Sequence, residues 1–116
     1  APPLKPLIDL PRMADKATAM LRDSLDAYVR RDPELAQQVC ARDDEVDDLN
    51  KQVFRELLTY MLENPGNIPR ALSLGAIGRY LERIADHATN IAEMVIYLVK
   101  GKDIRHMAWK SQSGEG

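Results

Sequence analysis

The stretch from Arg79 to Glu93 constrains the fold of this 116-residue chain more than any other segment. Apolar residues in and just after it step by three and four positions: Leu81, Ile84, Ala88, Ile91 and Val95. Because residues at this spacing share one face of an α-helix, the pattern predicts the middle of a long amphipathic helix. Glu82, Asp86 and Asn90 also step by four, and at about 100° per residue they are predicted to lie roughly opposite the apolar stripe.

Two further amphipathic helices are predicted upstream. The first is expected to begin with Asp9 as its N-cap and Pro11 in its first turn, and to end near Arg31. Its inward face is predicted to hold Met13, Ala17, Met20, Leu21, Ser24 and Tyr28. The second follows the capping residue Asp32 and is expected to run from Pro33 to about Glu63. Its inward residues are predicted to be Leu35, Val39, Val46, Leu49, Val53, Leu57 and Tyr60.

A turn at residues 64–67 separates the second helix from the third. Its sequence, Asn-Pro-Gly-Asn, is a strong stop signal, and Asn67 is expected to cap the third helix, which Gly101 is expected to end. The three helices predict an all-α, up-down-up antiparallel three-helix bundle over residues 9–106. Residues 1–8 are interpreted as a linker and residues 107–116 as a flexible tail. Gly75 and Gly78 either admit a neighbouring helix or only weaken their own, and the sequence leaves both open.

Composition excludes several classes of protein. Aromatic residues make up 5% of the chain and the period-two alternation of strands is absent, which agrees with a helical domain. A net charge of −2 does not point to nucleic acid or to an anionic membrane. The single cysteine, Cys40, cannot form an internal disulfide, and no signal peptide or membrane-spanning run is evident. We therefore expect a cytoplasmic location, peripheral to a membrane at most.

The densest run of charge lies on the second helix. Asp43 and Asp47 are four residues apart, as are Asp44 and Asp48, and like charges at this spacing destabilise a helix. By helical angle, Asp43 and Asp47 flank the core, whereas the other two point outward.

The two acidic sets are predicted to lie at the same height in the bundle. The second and third helices run antiparallel about the turn at 64–67, and similar numbers of residues separate that turn from 43–47 and from 82–90. Oxygen donors of this kind suit Mg²⁺, Mn²⁺, Ca²⁺ or iron. Acidic runs on helices are also common as solvated faces, and the spacing leaves that alternative open.

These residues resemble the paired E(D)xxxD signature of the PhoU family of phosphate-uptake regulators. Asp43-x-x-x-Asp47 supplies one half and Glu82-x-x-x-Asp86-x-x-x-Asn90 the other, and the likeness runs from about Leu7 to His106. PhoU-like chains carry two similar three-helix bundles and this chain has one that looks like the second, so the resemblance implies an isolated C-terminal half. It implies surface metal binding, of Mg, Mn, Fe or Zn, through Asp43, Asp47, Glu82, Asp86 and Asn90.

The resemblance also implies a regulator rather than an enzyme. PhoU-like proteins are thought to link a phosphate ABC transporter, through its ATPase, to a sensor histidine kinase, and to hold phosphate-starvation signalling off. Nothing in the residues contradicts this: no Glu-x-x-His pair, phosphate-binding glycine loop or nucleophile motif is present. The alternative is a metal-free structural bundle that docks on its missing half or on itself as a homodimer.

Overall fold

The computed structural model describes the backbone of residues 6–114 and the side chains of residues 8–101. Four α-helices form an elongated bundle of 75 × 20 × 16 Å: α1 (Pro6–Arg30), α2 (Pro33–Ala41), α3 (Asp43–Glu63) and α4 (Ile68–Gly114). A short 3-10 turn, Pro65–Asn67, joins α3 to α4. The described backbone contains no strand, so the all-α bundle is confirmed. Within this part of the chain, no helix has the length and apolar character needed to cross a bilayer.

Helix α1 begins three residues earlier than the predicted cap. Asp9 lies inside the first turns and is 3% exposed, so the expectation that it caps the helix is wrong. Met13, Ala17, Met20 and Ser24 are fully buried, as predicted.

Tyr28 is the exception on the inward face of α1. It is exposed, and its ring lies beside the guanidinium of Arg31, whose Cζ is 5.4 Å from the ring centroid.

The second predicted helix is divided in two at Arg42. The backbone N–H of Arg42 bonds the Val39 carbonyl oxygen at 3.1 Å, a tightened i to i−3 bond at the end of α2. The Arg42 guanidinium also donates to Asp23 of α1 at 2.7 Å. This tertiary contact fixes Arg42 at the break between α2 and α3. Asp32 caps α2 as expected, since its Oδ1 accepts the backbone N–H groups of Glu34 and Leu35.

The turn between α3 and α4 lies where predicted, but its asparagines act differently. Asn64 Oδ1 accepts the Gly66 N–H at 2.8 Å, and the Asn67 amide donates to the Tyr60 carbonyl oxygen at 2.9 Å. The Asn67 amide therefore closes the end of α3, while Asn67 itself directly precedes the first residue of α4. Helix α4 also continues through Gly101, because no described glycine adopts the left-handed conformation of a helix stop.

The core is centred on small residues of α4. Ala85, Ala88 and Ala92 are fully buried, while Ile84 and Ile91, placed at the centre by the sequence, are half-buried at its edge. Short side chains shorten the distance between helix axes, so α4 lies close to its neighbours along the alanines. This orientation turns Glu82 towards α3.

Candidate metal site

Antiparallel packing of α3 on α4 brings the two acidic sets together. Asn50 Nδ2 donates to Glu82 Oε2 at 2.6 Å, and the Asp47 and Glu82 carboxyl groups are close enough to share a hydrogen bond. One turn away, Asp43 lies near Asp86. The prediction that the sets lie at the same height is thus confirmed.

Exposure differs among the polar residues Glu82, Asp86 and Asn90 of α4. Asp86 and Asn90 are exposed, but Glu82 is partly buried against α3, so its predicted place opposite the core is wrong. The reason is that α4 packs on its neighbours through its alanines, and this orientation turns Glu82 into the interface between α3 and α4.

On α3, the acidic residues divide as their helical angles predicted. Asp43 and Asp47 are half-buried, and Asp44 and Asp48 point into solvent.

The Asp47–Glu82 pair is crowded with negative charge. Burial and the neighbouring Asp47 carboxylate raise the pKa of Glu82 to about 7. The hydrogen bond from Glu82, together with Lys51 Nζ at 3.2 Å, lowers the pKa of Asp47. These opposite shifts describe two carboxyl groups that titrate as an interacting pair.

The second pair, Asp43 and Asp86, shows the same crowding more weakly. Burial, followed by the charge of Asp86, raises the pKa of Asp43. Glu93 contributes to this shift, and it also raises the pKa of the half-buried Cys40 thiol after burial. Glu93 was not predicted as a site residue, although it lies seven residues after Asp86 and therefore on the same face of α4.

The acidic groups form pairs rather than a closed cage. Among the described side chains, no three His, Cys, Asp or Glu residues converge as a ready-made metal site. The interactions of the two pairs do not include Asn90. A surface groove of about 350 Å³ opens beside the first pair, lined by Asp47, Asn50, Lys51, Phe54, Arg55 and Glu82.

The donor chemistry fits a hard cation that keeps much of its water. Mg²⁺ commonly binds proteins through one or two carboxylates and retains several water ligands, and the Asp47–Glu82 pair offers donors of this type. A cation would also relieve the repulsion that raises the pKa of Glu82. A cysteine- and histidine-based zinc site does not fit these donors.

Two contributors to the site were missed from the sequence. Asn50 was not considered, because an isolated asparagine on a helix carries no spacing signal. Gly78 was left undecided, and the structure shows close approach: a Cβ at this position would lie 2.5 Å from Asn50 Oδ1. Gly75 has ordinary space, with Leu57 Cδ1 at 3.7 Å from an added Cβ.

Comparisons with known proteins agree with this architecture. The family model of the PhoU domain matches residues 10–95. A phosphate-specific transport system accessory protein PhoU homolog from Pseudomonas putida is 46% identical over 93% of this chain and 42% of its own length. The homolog from Zymomonas mobilis is 48% identical over 87% of this chain and 43% of its own length.

A solved structure is similar as well. The crystal structure of PhoU from Pseudomonas aeruginosa superposes with a TM-score of 0.75 at 47% identity, covering 78% of this chain and 43% of that chain. The chain thus spans less than half the length of these relatives. With a family match over most of its length and identities above 45%, the chain belongs to the PhoU family.

Proposed function

We propose that this chain is a regulatory accessory module of phosphate-specific transport that binds a metal ion between α3 and α4. The observation that carries the metal site is the close pairing of Asp47 with Glu82. Two ionised carboxylates held this close repel each other, and a cation bound between them attracts both. Asp43 and Asp86 extend the site by one turn, with Asn90 beyond them as a further oxygen donor. Mg²⁺ and Mn²⁺ suit these donors best.

The metal site is tested by removing each side of it. We expect the wild-type chain to bind Mn²⁺ in calorimetry and metal-content analysis, and Asp43→Ala/Asp47→Ala and Glu82→Ala/Asp86→Ala to lose that binding. The matched control is Asp44→Ala/Asp48→Ala, which removes the same charge at the same spacing from the outward side of α3. Retained binding in both test variants would falsify the ligand assignment.

The regulatory role rests on the relatives, which are named accessory proteins of the phosphate-specific transport system. For this chain we propose contacts with the ATPase of a phosphate ABC transporter and with a sensor histidine kinase, and no catalytic activity of its own. On helix α4, Tyr80, Met94 and Tyr97 are exposed and are the proposed contact residues. Tyr and Met are enriched in protein interfaces.

The partner contacts are tested by biolayer interferometry with the purified ATPase and kinase. Tyr80→Ala/Tyr97→Ala is expected to weaken binding about tenfold or more, as for a pair of aromatic anchors. Tyr28→Ala is the control, since it removes an exposed tyrosine from α1. Equal losses in the two variants would show that the α4 surface is not the contact.

A metal-free structural module is the second candidate. The observation in its favour is that no three potential ligands converge among the described side chains. Thermal unfolding with a chelator and with added Mn²⁺ separates the two functions, because a ligand that binds only the folded state raises its melting temperature. An unchanged midpoint would favour the structural module.

A further inference from the structure

We infer that Asn50 is a positioning residue that holds the Glu82 carboxylate beside Asp47, and that Gly78 provides the space for it. The inference rests on the proposed metal site and adds the residues that shape it. Asn50 comes from α3 and Glu82 from α4, so their 2.6 Å hydrogen bond joins the two helices at the site. When Glu82 is ionised, the Asp47 carboxylate repels it, and the Asn50 amide is the donor that opposes this repulsion.

Gly78 makes this arrangement possible. It is buried in α4, one turn before Glu82, and lies against the Asn50 amide. A Cβ added at Gly78 would lie 2.5 Å from Asn50 Oδ1. The amide would have to rotate, and the rotation would move Nδ2 away from Glu82. The glycine therefore has a specific role in a helix where alanine is otherwise preferred.

The arrangement orients the carboxylate without adding charge. An amide N–H stabilises a carboxylate by hydrogen bonding and does not neutralise it, so Glu82 keeps its affinity for a cation. A lysine or arginine at the same place would compete with the metal. Residues that orient a metal ligand in this way commonly change affinity by about tenfold or more when they are removed.

A double-mutant cycle tests the inference. Mn²⁺ affinity is measured by calorimetry for the wild type, Asn50→Ala, Gly78→Ala and the double variant. We expect about tenfold weaker binding for Asn50→Ala. Gly78→Ala is expected to weaken binding when Asn50 is present and to add nothing in the Asn50→Ala background. The matched control is Gln52→Ala, because the Gln52 amide donates to Glu56 within α3.

Stability in chelator provides a second measurement that does not depend on metal. Gly78→Ala is expected to raise the melting temperature in the Asn50→Ala background, where only helix propensity acts, and to raise it less or lower it in the wild type. Independent effects of the two substitutions would overturn the role of Gly78. Mn²⁺ binding by Asn50→Ala within twofold of the wild type would overturn the role of Asn50 alone. Absence of Mn²⁺ binding by the wild type would instead overturn the proposed metal site, and the positioning role with it.

Discussion

Two neighbouring regions of the bundle, the buried core and the acidic rim where α3 meets α4, are stabilised in different ways. The core consists of fully buried apolar side chains, including Met13, Met20 and Ala88, whose burial favours folding at any pH. The rim contains Asp47 and Glu82, two carboxyl groups that repel each other when both are ionised.

This difference separates the residues that stabilise the fold from those of the proposed metal site. Apolar packing is tight and does not depend on an added ligand, so the core holds the helices in place. The rim is built on that scaffold with unfavourable electrostatics, which a cation is able to relieve. Changes in the core should therefore alter stability with or without metal, and changes in the rim should have effects that depend on pH and on metal.

The largest effect is expected in the core. Met20→Ala should destabilise the fold by about 2–5 kcal/mol, because it leaves a cavity where a fully buried side chain had packed. Urea unfolding in chelator and in Mn²⁺ should give the same loss. Met94→Ala is the control: its side chain is exposed on α4, and the change should stay within about 0.5 kcal/mol. A loss that disappears with Mn²⁺ would mean that core and rim are not separable.

A smaller effect is expected from pH at the rim. Glu82 has a pKa of about 7 in the folded chain, above the usual 4.5 that it takes when unfolded. Between these values the folded chain holds a proton that the unfolded chain has lost, so this contribution is complete below about pH 4.5 and is lost as the pH rises through 7. The raised pKa of Asp43 acts in the same direction.

Melting temperatures in chelator should therefore fall between pH 5 and pH 8. Glu82→Gln should flatten this dependence, because the substituted side chain does not titrate and still accepts the Asn50 hydrogen bond. The lowered pKa of Asp47 acts only at more acidic pH and leaves this window unchanged. A melting temperature that rises across the range would contradict the raised pKa of Glu82.

The smallest effect is expected at Lys51. Its Nζ lies 3.2 Å from Asp47 Oδ2, so it would compete with a metal ion for the Asp47 carboxylate. Lys51→Met should tighten Mn²⁺ binding by roughly two- to fivefold, the size expected for one exposed ion pair. Calorimetry at low ionic strength measures the change, and added salt should reduce it. Lys16→Met is the control, since Lys16 pairs with Glu45, away from the rim. Equal changes in both variants would indicate a general effect of charge.

Much of the fold was predictable because local signals were strong. Asp32 followed by Pro33 identified the start of α2, and the turn at residues 64–67 was found from its proline and glycine. The break at Arg42 was not predicted, and the residue there contacts Asp23, nineteen residues away in the chain. Gly101 was taken as a helix end, but a glycine stops a helix only where the chain adopts a left-handed conformation, and α4 does not do so there.

The position of the candidate site along the bundle was predictable from the sequence, but the arrangement of its side chains was less so. Counting residues from the turn placed Asp47 and Glu82 together, because the rise per residue of a helix is constant. The prediction that Glu82 is exposed was wrong, because its exposure depends on which small residues of α4 pack closest to the core. Asn50 could not be found, and the choice between the two alternatives for Gly78 could not be made, until the neighbouring residue on the other helix was known.

The sequence by itself thus determined three antiparallel helices and the level at which the acidic residues of the second and third lie side by side. This was possible because helical period, caps and turns are properties of short segments. The rotation of α4 about its own axis was settled by packing among the helices, because it depends on how side chains distant in the chain fit together. That rotation turns Glu82 towards Asp47 and Asn50, and the candidate metal site depends on it.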